Sequence, residues 1–196
     1  MMKNVLFVIL DDFADWEAAP LAAAINQRDG WQVQTVSLTK APVRSMGGFT
    51  VLPDMAVGEA MKTDFTGTIL IGGKSWRSEN AKQVVPLITY ALRQNVVVGG
   101  ICDASVFLGT TGALNAVAHT SNQLADLQDY AGAAYTGAER YQNMPAVRDG
   151  NIITANGTAA LEFAKETLLA LGTMTEQEAD QWYALYKFGW YAVMKG

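Results

Sequence analysis

Residues 96–109 read VVVGGICDASVFLG: a β-branched run, two glycines, the chain's one cysteine, then small residues and a renewed apolar pattern. Consecutive valines suit an extended strand, and paired glycines permit a tight turn. The stretch therefore predicts a strand that turns sharply into a helix, with Cys102 at the corner. A thiol in the first turn of a helix faces unpaired N–H groups and the positive end of the macrodipole, so the position predicts a lowered pKa and an accessible sulfur. Taken alone, the same cysteine reads as a small buried hydrophobe.

Outward from that corner, strand and helix patterns alternate. NVLFVIL (4–10) is continuously apolar after Asn4, as a strand buried on both faces requires. Asp15 to Gly30 reads as a helix stopped by glycine, and WQVQTVSL (31–38) alternates at period two. Residues 41–54, with Gly47-Gly48 inside, suit a short hairpin or an extended excursion. DFTGTILIGG (64–73) is a further strand, Ser78 an N-cap for a helix over 79–94, and Pro86 within it predicts a kink or a late start. NVVVGGI (95–101) then leads to Cys102. This rhythm predicts a doubly wound, mostly parallel sheet. Beyond residue 115 the pattern weakens, but Asp149-Gly150 marks a hairpin within AVRDGNIITA, 157–171 reads as an amphipathic helix, and Thr175 with Glu178 forms a capping box opening a last helix from 176 to about 192.

With 196 residues, half of them hydrophobic, the chain fits one domain spanning 1–196. Fourteen basic against nineteen acidic residues, with no basic cluster, argue against nucleic acid or an anionic membrane surface as partner. MMKNVLFVIL ends at Asp11 and Asp12 without a small-residue cleavage site, so it reads as a first strand rather than a signal peptide. No window approaches the ~18 apolar residues of a membrane helix. One cysteine and one histidine build neither an internal disulfide nor a structural zinc site. The expectation is a cytoplasmic protein using no metal or cofactor.

Ligands of such sheets sit beyond the carboxyl ends of the strands, where DDFADWE (11–17), GGKSW (72–76) and CDAS (102–105) fall. Gly72 and Gly73 offer backbone N–H groups to an oxyanion, or make only a turn. Of Asp11, Asp12, Asp15 and Glu17, none is singled out by pattern. Asp103 complements a helix N-terminus, yet its charge opposes a thiolate nearby. His119, the sole imidazole, reads equally as structural or catalytic. Trp182, Tyr183, Tyr186, Phe188, Trp190 and Tyr191 suit either a packed C-terminal helix or a dimer contact.

Together the acidic segment ending in Glu17, ILIGG (69–73), GGICDASVFLG (99–109) and GNIITANGTAALEFA (150–164) resemble the ThiJ/PfpI superfamily, cysteine-containing relatives of class I glutamine amidotransferase domains. The resemblance implies a flavodoxin-like three-layer α/β sandwich, usually dimeric. It implies Cys102 as nucleophile, Glu17 as the acid that bonds the sulfur and moves a proton, and an oxyanion site at the N–H groups of Gly73 and Asp103. His119 falls near a pocket histidine of some members. Protease-like members carry histidine directly after the cysteine, where this chain has Asp103, and the late His-x-Glu pair of true amidotransferases is absent. The function expected is a cysteine-dependent hydrolase or amidotransferase-like enzyme acting on a small molecule or peptide. The alternatives are glyoxalase, deglycase or isonitrile-hydratase chemistry, and a redox sensor or stress-response protein oxidised at Cys102.

Overall fold

The computed structural model describes residues 2–194. The apolar run after the N-terminus forms β1 (Lys3–Val8), whose alternate residues feed two separate cores. Leu6 and Val8 join Trp76, Leu87, Ile88 and Phe107 on one side, while Val5 and Phe7 join Leu21, Ile25, Phe163 and Leu168 on the other. Continuous hydrophobicity is what such double coverage demands.

Helix α1 (Asp15–Asn26) brings Leu21 and Ile25 to the second core and leads to β2 (Trp31–Ser37), parallel to β1. The helix ends before Gly30, which instead turns the chain at φ +80° so that its carbonyl accepts the Lys3 N–H at 2.8 Å. Residues 41–54 do hold a hairpin, β3 (Val43–Arg44) against β4 (Thr50–Val51), and a short edge strand β5 (Met55–Ala56) follows beside β2. The chain continues through α2 (Val57–Ala60) into β6 (Gly67–Leu70).

Ser78 is not a side-chain cap: its hydroxyl donates to the Ser75 carbonyl at 2.7 Å, and residues 79–84 wind as a 3-10 helix. Helix α3 (Val85–Arg93) therefore starts late, with Pro86 in its first turn, where a missing N–H costs no hydrogen bond. After it come β7 (Val97–Ile101), α4 (Asp103–Thr110), α5 (Leu124–Ala131), the hairpin β8 (Ala146–Asp149) and β9 (Ile152–Ala155), and α6 (Ala160–Leu171).

The main sheet runs β5-β2-β1-β6-β7-β9-β8, parallel except for β8 against β9. Helices α2 to α5 contribute to the core on one face, and α1 and α6 to the core on the other, so the molecule is a flavodoxin-like α/β sandwich. Thr175 and Glu178 form the expected capping box of α7 (Glu176–Phe188). That helix stops at Gly189, φ +86°, and a separate turn, α8 (Trp190–Val193), follows. The aromatic cluster divides: Trp182 packs against the core and the Tyr183 hydroxyl donates to Glu162 at 2.7 Å, whereas Tyr186, Phe188, Trp190 and Tyr191 are exposed. Among the described residues no helix is long and apolar enough to cross a membrane.

Strands β2 and β6 flank β1 on opposite sides, so strand order reverses at β1 and β6, and ligands of such sheets bind beyond the carboxyl ends at that point. Phe13, just beyond β1, bridges Gly73 beyond β6, and Ala14 N–H donates to the Gly72 carbonyl at 2.9 Å.

Candidate active site

Cys102 is the single residue between β7 and α4, at φ 59° and ψ −131°. A residue with a Cβ holds such a conformation only under constraint, at a cost of about 1–3 kcal/mol. Here its N–H donates to the Ala155 carbonyl of β9 at 3.0 Å. Its carbonyl accepts the Ser105 hydroxyl at 2.6 Å, and that hydroxyl also pairs with Ser121 at 2.9 Å.

Glu17, in the first turn of α1, is fully buried under this corner. Two glycines leave the space it occupies. A Cβ on Gly157 would fall 2.8 Å from Cys102 Sγ and 3.1 Å from Glu17 Oε1. A Cβ on Gly72 would fall 2.6 Å from Cys102 Cβ and would overlap Glu17 Oε2. Neither Glu17 oxygen has a partner of full hydrogen-bond geometry among the described residues, although the Cys102 thiol and the Gly72 N–H face it. Burial raises the Glu17 pKa to about 7; those two neighbours offset only part of the effect, and the Asp103 charge adds to it.

The same burial pushes the Cys102 thiol up to about 11. Asn122 and the Asp103 N–H favour the thiolate, but the charges of Glu17 and Asp103 oppose it. The direction is opposite to the lowered pKa expected from the helix N-terminus, because desolvation and the two neighbouring carboxylates act against the thiolate.

The polar side chain that reaches the sulfur is Asn122, whose Nδ2 donates to Sγ at 3.3 Å while its Oδ1 accepts the Gly157 N–H at 2.9 Å. Sequence reasoning missed it, because an asparagine in a loop carries no pattern. His119, three residues earlier, is fully buried, with Nδ1 2.8 Å from the Val117 carbonyl and Nε2 2.7 Å from the Tyr135 hydroxyl. Both ring nitrogens are committed away from the thiol, and burial lowers the ring's pKa.

Gly73 lies so near the loop after β1 that a Cβ there would meet the Asp12 carbonyl oxygen at 2.5 Å. The N–H groups of Gly73 and Asp103 enter no backbone hydrogen bond among the described residues. The Asp103 carboxylate is drawn to Arg77 at 2.9 Å. The other acidic candidates fasten the β3–β4 hairpin: Asp11 accepts the Arg44 N–H at 3.0 Å, Asp15 accepts the Gly47 N–H at 2.7 Å, and the Asp12 N–H donates to the Arg44 carbonyl at 2.7 Å. Of the four acids only Glu17 turns inward.

Comparison with known proteins agrees with this architecture. The family model described as DJ-1/PfpI matches residues 3–170. "Uncharacterized protease YdeA" of Bacillus subtilis is 37% identical over 190 residues, covering 97% of this chain and 94% of the relative. The crystal structure of a DJ-1 superfamily protein from Agrobacterium tumefaciens is 36% identical at TM-score 0.86, covering 94% of this chain and 99% of that one. A thiJ/pfpI family protein from Bacillus anthracis is 32% identical at TM-score 0.88, with coverages of 95% and 91%. Matched along nearly its whole length in both sequence and fold, the chain belongs to the DJ-1/PfpI family.

Proposed function

We propose that the protein is a cysteine-dependent hydrolase of small-molecule or peptide amides, in which Glu17 takes the Cys102 proton as the sulfur attacks the carbonyl carbon. The observation that carries this reading is a fully buried carboxyl group, its pKa raised to about 7, packed against the chain's one thiol. A base with that pKa suits neutral pH and removes the need for a preformed thiolate. In the first step the S–C bond forms, the carbonyl π pair moves to oxygen, and the thiol proton passes to Glu17. The oxyanion develops near the N–H groups of Gly73 and Asp103. Glu17 then returns the proton to the leaving nitrogen as the C–N bond breaks, and serves again as base when water cleaves the thioester.

A cleft lined by Thr120, Ser121, Asn122, Tyr141, Asn143 and Asn156 adjoins the site through Asn122, which bonds the sulfur, and its uncharged polar lining suits an uncharged polar substrate group. That the Bacillus subtilis relative is named a protease supports an amide substrate. A second reading, glyoxalase- or deglycase-type addition to a reactive aldehyde, is favoured by the commitment of His119 elsewhere, because that chemistry needs one nucleophile and one proton carrier.

The test is turnover of fluorogenic peptide amides and of methylglyoxal against pH. Activity is expected to rise with an apparent midpoint near 7, to vanish in Cys102→Ser, and to fall roughly 10²–10⁴-fold in Glu17→Gln. The substrate consumed selects between the two chemistries, and turnover that survives Cys102→Ser contradicts both.

A further inference from the structure

Arg77 closes the 3-10 turn Lys74–Arg77 that follows Gly73. Its guanidinium grips two carboxylates, with Nη2 donating to Asp103 Oδ1 at 2.9 Å and to Asp126 Oδ2 at 2.6 Å, and Nη1 to Asp126 Oδ1 at 3.2 Å. It also lies 4.6 Å from the centroid of the Tyr130 ring, and the Tyr130 hydroxyl donates to the Trp76 carbonyl at 3.1 Å. Asp126 and Tyr130 both belong to α5, so the two-pronged ion pair and the stacked ring hold Arg77 in one orientation.

Asp103 directly follows the nucleophile, and its side chain is only 19% exposed, so water screens its charge poorly. The charged groups around the sulfur are Glu17 from α1 and Asp103 from α4; behind Asp103 stand Arg77 of the turn and Asp126 of α5. β7 and residues 156–159 carry no charge, and His119 in the neighbouring loop is committed to Val117 and Tyr135. Arg77 is thus the one cation in this set.

We infer that Arg77 is a positioning residue for Cys102: by pairing with the Asp103 carboxylate it offsets part of the negative charge next to the nucleophile and fixes the first turn of α4. The inference rests on Cys102 being the nucleophile. It accounts for an aspartate at a position where its charge alone would suppress the thiolate.

The test uses alkylation by iodoacetamide, an uncharged probe that requires no substrate, followed against pH in the full chain. Arg77→Gln is expected to move the midpoint upward by about half a unit to one unit, so that the rate at neutral pH falls roughly three- to tenfold. Arg77→Gln combined with Asp103→Asn is expected to return to the wild-type midpoint or below it. An unchanged midpoint in folded Arg77→Gln, or a double variant that keeps the upward shift, overturns the inference. If Arg77→Gln does not fold, Asp103→Asn carries the test: its midpoint drops, and adding Arg77→Gln raises it no further, whereas a renewed rise overturns the inference. A Cys102 that resists iodoacetamide at every pH contradicts the nucleophile reading and this inference together, while a reactive Cys102 indifferent to Arg77 contradicts only the latter.

Discussion

Glu17 and Cys102 occupy a space that two glycines keep open, and the carboxyl group there is cut off from water and raised to about 7. A folded-state pKa above the ordinary 4.5 means that folding favours the protonated acid. Its contribution to stability is fully present below pH 4.5 and is lost as pH rises through about 7. Glu17→Gln removes that titration, so the variant should gain on wild type by about 3 kcal/mol between pH 4.5 and pH 8, read from paired urea denaturations. A stability difference independent of pH would show that Glu17 is not buried as an anion. Cys102 could be singled out in the sequence because its signals are local: a valine run, two glycines and a resumed helix. Glu17 could not, since Asp11, Asp12 and Asp15 lie beside it and only tertiary packing decides which acid faces inward; family resemblance, not pattern, selected it. Asn122 carries no signal for the same reason, and Gly157 stands out only as part of the GNIITANGTAALEFA stretch that carries the family resemblance.

At the scale of elements, the loop before α5 presents Asn122 to the sulfur, and its neighbours hold the loop in place. The Thr120 N–H donates to Thr154 Oγ1 at 2.8 Å, Ser121 pairs with Ser105, and His119 bonds Tyr135 while packing edge-on against Tyr141. His119 acts here as an anchor. His119→Ala should therefore destabilise the fold by about 1–3 kcal/mol, because the buried Tyr135 hydroxyl loses its partner. Iodoacetamide reactivity of the folded variant should change less than about tenfold, far below the 10²–10⁴-fold loss of a catalytic base. A hundredfold loss with the fold intact would contradict the anchoring role. The continuous apolar run of β1, the period-two alternation of β2 and the capping box of α7 are legible in the sequence. β5, with two residues, and α5, in a stretch dense with polar residues, are not, because pairing with β2 and packing under α4 define them. Gly189 ends α7 early for a backbone reason, its positive φ, that hydrophobic periodicity does not reveal.

Over the whole molecule, reversal of strand order between β1 and β6 gathers the loops after β1, β6, β7 and β9 around one thiol. The alternation of strand and helix announced that architecture, because each crossover in a parallel sheet needs its own helix. Outside this site, the exposed Tyr186, Phe188, Trp190 and Tyr191 at the end of α7 and in α8 lead us to propose a homodimer through this surface. Sedimentation at micromolar concentration should show twice the 21.1 kDa chain mass, and the double variant Phe188→Asp, Tyr191→Asp should return it to 21.1 kDa; a wild-type monomer contradicts the proposal. The central claim is that Glu17 and Cys102 work as one proton-transferring pair, and the most direct test is to titrate the Cys102 thiolate by its ultraviolet absorbance in wild type and in Glu17→Gln. With the carboxylate present the thiol should ionise near 11, above its ordinary 9, and removal of the neighbouring charge should lower the midpoint by about one unit. The same midpoint in both proteins would contradict the account.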